Sequence, residues 1–161
     1  MAGKSNTVRI AAALALALVP TVAVAQDKNT VPLRHSPKAG ALLIEVQVNG
    51  RPRTFILDTG AQNCIIDLRS VGFLTLADLN SAFVKDGVSG SKKGAVFISV
   101  SLRVGGKEFR EWEAMATDLR NMEKDFGTRV DGILALDFLA KFKRVTLDFE
   151  HMTLELESRP R

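Results

Sequence analysis

The stretch "FILDTGAQNCII", Phe55 to Ile66, sets one aspartate between two apolar runs and follows it at once with Thr59 and Gly60. An apolar run of strand length that stops on a carboxylate and turns presents that carboxylate at a strand end. Gly60 lets the backbone turn without a Cβ clash. The Thr59 hydroxyl can hydrogen-bond within the turn or across to a second chain.

The same strand rhythm continues on both sides. Upstream, "ALLIEVQV" and "RPRTFIL" flank Asn49-Gly50, a favoured hairpin turn. Leu42, Ile44, Val46 and Val48 alternate with Leu43, Glu45 and Gln47, which predicts that the first set faces the core. Downstream, a short strand is expected over Cys64 to Asp67, with a short helix before about Leu79. Val84 to Gly94, rich in glycine and serine, reads as a hairpin or loop. "AVFISVSLRV" predicts a long strand turning at Gly105-Gly106, "KEFREWEAMATDL" a further strand pair, and Arg120 to Arg129 a charged connector. Gly132 to Leu134 reads as a strand and the residues from about Ala135 as a helix, followed by two strands joined around Glu150-His151. Phe73, Phe97 and Phe109 are core candidates, and Trp112 a partly buried sheet residue.

A chain of 161 residues with 46% apolar and 25% charged residues suits one folded domain. Its start differs from the rest. Lys4 and Arg9 precede the apolar run Ile10 to Val19, and Ala23-Val24-Ala25 supplies small residues for a signal peptidase. Residues 1–25 are therefore expected to be a cleaved secretory signal, giving an exported, periplasmic or secreted protein with no stable membrane association; an uncleaved N-terminal anchor is the alternative. Cleavage removes Lys4 and Arg9, so the formal charge falls from +4 to +2. Basic residues are scattered, and no nucleic-acid partner is expected. Residues 26–39, with Pro32 and Pro37, read as a flexible leader before a domain over 40–158.

Cys64 is the only cysteine, which excludes an internal disulfide and suits a small buried apolar residue. His35 and His151 lack metal-ligand spacing and read as solvated. Ser89 to Lys92 matches the Ser-x-x-Lys pattern of penicillin-recognising serine enzymes, but this chain is too short for their large helical domain.

One carboxylate alone activates water poorly, because amide hydrolysis needs a base for the water and an acid for the carbonyl. Two carboxylates about 4 Å apart, at an effective dielectric of about 20, repel by about 4 kcal/mol. That separates their proton affinities by about 3 pK units, so one is ionised while the other keeps its proton. The chain has a single Asp-Thr-Gly and no Asp-Ser-Gly, so this chemistry requires a second copy and a twofold homodimer.

"FILDTGAQNCIID", followed some seventy residues later by "DGILALDFLAKFKRVTLDFEHMTLEL", resembles the retropepsin-like aspartyl proteases, in particular short exported bacterial ones. The resemblance runs from about Ala41 to Leu156. It implies an all-β fold of closed or folded antiparallel sheets with one or two short helices, a single lobe that pairs as a homodimer. It implies an aspartic-type endopeptidase acting on extended peptide or protein substrates, with no metal or organic cofactor. Asp58 resembles the catalytic aspartate, Thr59 the hydroxyl that braces two loops across the dimer axis, and Gly60 the turn residue. Ala61, Gln62 and Asn63 are expected to line the cleft, with Gln62 or Asn63 on the substrate backbone. Asp86 to Gly94 resembles a closing flap, with Val88, Ser89 and Gly90 as substrate contacts. Ile133 and Leu134 are carried over as further substrate-binding residues, whereas Asp131 and Asp137 read as capping or surface carboxylates. Ala135 stands where the family has glycine, a departure expected to affect efficiency more than fold. Two other readings stay open at this point: a dimeric peptide-binding module of weak or no activity, and a dormant form activated by trimming the leader.

Overall fold

The structure, a computed structural model, describes residues 29–72, 83–85 and 92–160. The expected signal segment lies outside these residues, as do Phe73 and the flap positions Val88, Ser89 and Gly90. Among the described residues no helix is long and apolar enough to cross a membrane.

The described chain runs β1 (Thr30–His35), β2 (Leu42–Val48), β3 (Arg51–Leu57), β4 (Ile65–Asp67), α1 (Leu68–Val71), β5 (Phe83–Lys85), β6 (Lys92–Gly94), β7 (Val96–Val104), β8 (Lys107–Thr117), α2 (Met122–Phe126), β9 (Gly132–Leu134), α3 (Leu136–Leu139), β10 (Phe142–Asp148) and β11 (Thr153–Ser158). The order β2-β3-β9-β4-β8-β7 closes into a six-stranded barrel, because β7 pairs back onto β2. β1, β11 and β10 extend the sheet beyond β2 and leave β10 at its edge. β5 and β6 form a separate antiparallel hairpin, the base of the expected flap.

Local chemistry accounts for the turns. Asn49 and Gly50 both have positive φ, 50° and 76°, which is the turn geometry that matches the twist of a two-residue hairpin. Asn49 also ties β2 to β7: its side-chain oxygen accepts from the Ser101 N–H at 2.9 Å, and its own N–H donates to the Ser101 carbonyl at 2.9 Å.

Ile44, Val46 and Val48 are fully buried in the barrel core with Phe55, Ile66, Leu102 and Leu134. Phe109, Trp112, Phe138 and Phe142 pack edge-on or tilted at 5.3 to 6.1 Å between ring centroids, clamping α3 onto β8 and β10. Such pairs add about 0.5–1.5 kcal/mol each beyond area burial.

Several expectations need correction. The segment expected as a flexible leader contains β1, which pairs with both β11 and β2 and buries Val31 and Leu33. Its strand alternation is hidden by Pro32, which sits in the strand between the two buried residues. Leu43, expected to face outward, is buried in a second cluster with Ile56, Leu119 and Val130, because the connector around α2 covers that face. Phe97 is 76% exposed, since β7 points Ile98, Val100, Leu102 and Val104 inward and puts Phe97 on the opposite parity. The expected strand pair after Gly106 is one long strand, β8, with an irregular register near Glu111. Two pairings, β3 with β9 and β4 with β8, are parallel rather than antiparallel.

Candidate active site

β3 delivers Asp58. Its last residues are buried, and the chain then leaves the barrel so that Asp58 is half-buried while Thr59 and Gly60 are exposed. The Gly60 N–H donates to Asp58 Oδ1 at 2.8 Å, so the turn fixes the carboxylate. A Cβ on Gly60 would sit 3.2 Å from that same oxygen, which is why the smallest residue belongs there.

The loop from Asp58 to Cys64 is sewn to the second sequence block. The Asp58 N–H donates to the Leu134 carbonyl at 3.0 Å. The first amides of α3 turn back onto the loop: Leu136 N–H donates to the Ala61 carbonyl at 3.0 Å and Asp137 N–H to the Gln62 carbonyl at 3.1 Å. These are helix-end donors that would otherwise lack partners. In the other direction the Asp137 carboxylate accepts the Cys64 N–H and the Cys64 thiol, each at 3.0 Å.

β9 runs between β3 and β4, and Gly132 makes that passage possible. A Cβ there would collide with the Phe55 ring and lie 2.6 Å from the Ile65 carbonyl oxygen. The two blocks, far apart in sequence, are one mechanical unit that holds a single carboxylate at a strand end.

A family model described as aspartyl protease matches residues 44–138, more than half of the chain. The chain belongs to that family. Among solved structures, the retropepsin-like aspartic protease from Rickettsia conorii superposes with a TM-score of 0.54 at 20% identity, covering 80% of this chain and 87% of the other. The retroviral protease-like domain of Ddi1 from Leishmania major gives 0.51 at 20% identity, covering 74% and 90%. No curated protein matches the sequence. The fold of this member of the aspartyl protease family is retropepsin-like.

In this retropepsin-like domain, the residues expected to act are brought together unevenly. Asp58, Thr59, Gly60, Ala61, Gln62 and Asn63 share one loop, with Gln62 and Asn63 exposed. Ile133 is nearly buried, and Leu134 is wholly buried in the core. Leu134 therefore reaches the site through its carbonyl on Asp58 rather than through its side chain, which corrects the expectation that it contacts substrate. Ala135 has φ −113° and ψ −176°, extended backbone open to any residue, and its methyl is buried in the core.

Asp131, Asp67 and Asp137 each make structural hydrogen bonds. Burial would raise the pKa of Asp131, but the Thr54 N–H at 3.1 Å, the Ser70 hydroxyl at 2.9 Å and Arg129 at 2.7 Å outweigh it and hold the carboxyl below its ordinary range. Asp67, fully buried, caps α1 and accepts from the Arg69 and Leu119 N–H groups at 2.9 and 2.8 Å. Burial, with Asp137 adding to it, pushes the Cys64 thiol up, so it acts as a neutral donor. The bracing role of Asp137 was missed from sequence; its position in the first turn of α3 fits a cap, and only the fold brings Cys64 to it.

A groove of about 540 Å³ adjoins Thr59 and is walled by Leu136, Leu139, Phe142, Val145 and Leu147. Leu136 is 44% exposed on it.

Proposed function

We propose that this chain is an aspartic endopeptidase, active as a homodimer, that hydrolyses peptide bonds in extended protein or peptide segments. The observation that carries the reading is the Asp58 loop, a carboxylate fixed by Gly60 at a strand end and present once per chain. In a twofold pair each copy contributes one Asp58. The ionised carboxylate takes a proton from water while its neutral counterpart donates to the scissile carbonyl oxygen, the division of labour that sharing one proton imposes. Thr59 braces the two loops across the axis. Gln62 and Asn63 bind substrate backbone, and the hairpin built on β5 and β6 closes over it.

The apolar groove beside Thr59 supports the dimer, since it lies next to where the twofold axis must run and ends at β10, the sheet's open edge. The extended backbone at Ala135, open to any residue, supports an active enzyme over an inactive binding module. Export behind residues 1–25 belongs to the same proposal.

The test is cleavage of a mixed peptide library from acid to neutral pH by wild type and by Asp58→Asn, with the oligomeric state of both measured. Cuts made by wild type and lost in the variant are expected. A dimeric wild type that cuts nothing overturns the reading.

A further inference from the structure

A second groove, of about 720 Å³, lies on the other flank of α3, bordered by Asn63, Phe97, Glu111, Trp112, Glu113 and Lys141. Asn63 belongs to the Asp58 loop, so this groove adjoins the candidate site through that loop. Its charge is negative on a protein of positive formal charge. Glu111 and Glu113 are exposed and make neither ion pair nor side-chain hydrogen bond among the described residues. Asp137, also on the wall, is committed to Cys64, and among the described residues Lys141 is the one basic residue of the lining.

The floor suits a cation with an apolar stem. Trp112 is 9% exposed, and the Lys141 ammonium already rides 5.5 Å over its ring, a cation on an apolar stem seated against this floor. Phe97, 76% exposed, offers an apolar rim to the methylenes of a long basic side chain. Glu111 has φ 54° beside the register shift in the β7–β8 ladder, where strand irregularities re-aim side chains.

We propose that this groove is an exosite that holds a lysine- or arginine-bearing segment of the polypeptide substrate, displaced from the bond being cut. The identity of the occupant rests on the protease reading; its recognition does not depend on catalysis.

Fluorescence anisotropy on the full chain carrying Asp58→Asn tests this directly. Labelled peptides share one core sequence and carry, at either end, a run of lysines, glutamates or serines. Lysine-tailed peptides are expected to bind about threefold to tenfold more tightly than serine-tailed ones, the range of two exposed ion pairs. The preference should shrink in high salt and vanish in Glu111→Gln/Glu113→Gln. Equal affinity for the two tails, a preference that survives the double variant, or no binding of any peptide overturns the exosite. A lysine preference in a protein whose wild type cuts nothing overturns the protease reading and leaves the exosite standing.

Discussion

The Asp137 carboxylate accepts both the backbone N–H and the thiol of Cys64, each at 3.0 Å, across 73 positions of sequence. α3 thereby grips the far end of the loop whose near end carries Asp58. In the proposed mechanism Asp137 is a positioning residue, acting on Asp58 through the loop. Asp137→Ala leaves two buried donors without an acceptor, which should cost about 1–3 kcal/mol in urea unfolding. It should also lower kcat by about tenfold to a hundredfold with KM less affected, because small misplacements of a reacting group are expensive. Asp137→Asn keeps one acceptor and should recover part of both losses, an outcome that a purely apolar packing role would not produce.

Asp131 predicts a pH signature. Its carboxyl titrates below its ordinary 3.8 in the folded protein, held there by Thr54, Ser70 and Arg129. The unfolded chain therefore binds the proton more readily. The stability from this group is fully present above about pH 4 and is lost as pH falls through the lower folded value. Asp131→Asn should be less stable at neutral pH and show a shallower decline below pH 4 than wild type, read from denaturant midpoints across that range. Parallel profiles would remove Asp131 as a source of acid sensitivity.

Much of this was legible in the sequence, for physical reasons that also mark where legibility ends. The Asn49-Gly50 turn and the alternation of Ile44, Val46 and Val48 are local signals, and the structure repeats them. Leu43 was misread because its burial depends on Leu119 and Val130, residues at the margins of a charged connector some eighty positions away. Phe97 was misread by size, although strand parity with Ile98 and Val100 already placed it outside. In the Asp58 loop, the motif placed a turn at Gly60, and the Gly60 N–H bonds the Asp58 carboxylate. The Cys64–Asp137 brace needed β3, β4 and β9 laid side by side before the two residues could meet.

Leu136 tests the proposed dimer. It is 44% exposed in the apolar groove that reaches Thr59. Leu136→Asp would place a charge against the second copy while disturbing little within one. Sedimentation should shift from dimer to monomer and cleavage should fall with it, with unfolding free energy changed by about 0.5 kcal/mol or less, as for most exposed positions. A variant that stays dimeric and active would put the partner on a different surface.

Ala135 decides whether this chain is impaired by its departure from the family pattern. Its backbone at φ −113° and ψ −176° requires no glycine, its N–H donates to Cys64 Sγ at 3.4 Å, and its methyl is fully buried in the barrel core. Restoring glycine would remove a buried methyl, about 0.8 kcal/mol, and would widen the unfolded ensemble by roughly 0.4–1 kcal/mol. Ala135→Gly should therefore unfold at lower denaturant, by about 1–2 kcal/mol in all, without raising kcat. A several-fold gain in kcat would mean instead that the methyl holds the Asp58 loop away from its working geometry, and that the alanine trades activity for stability.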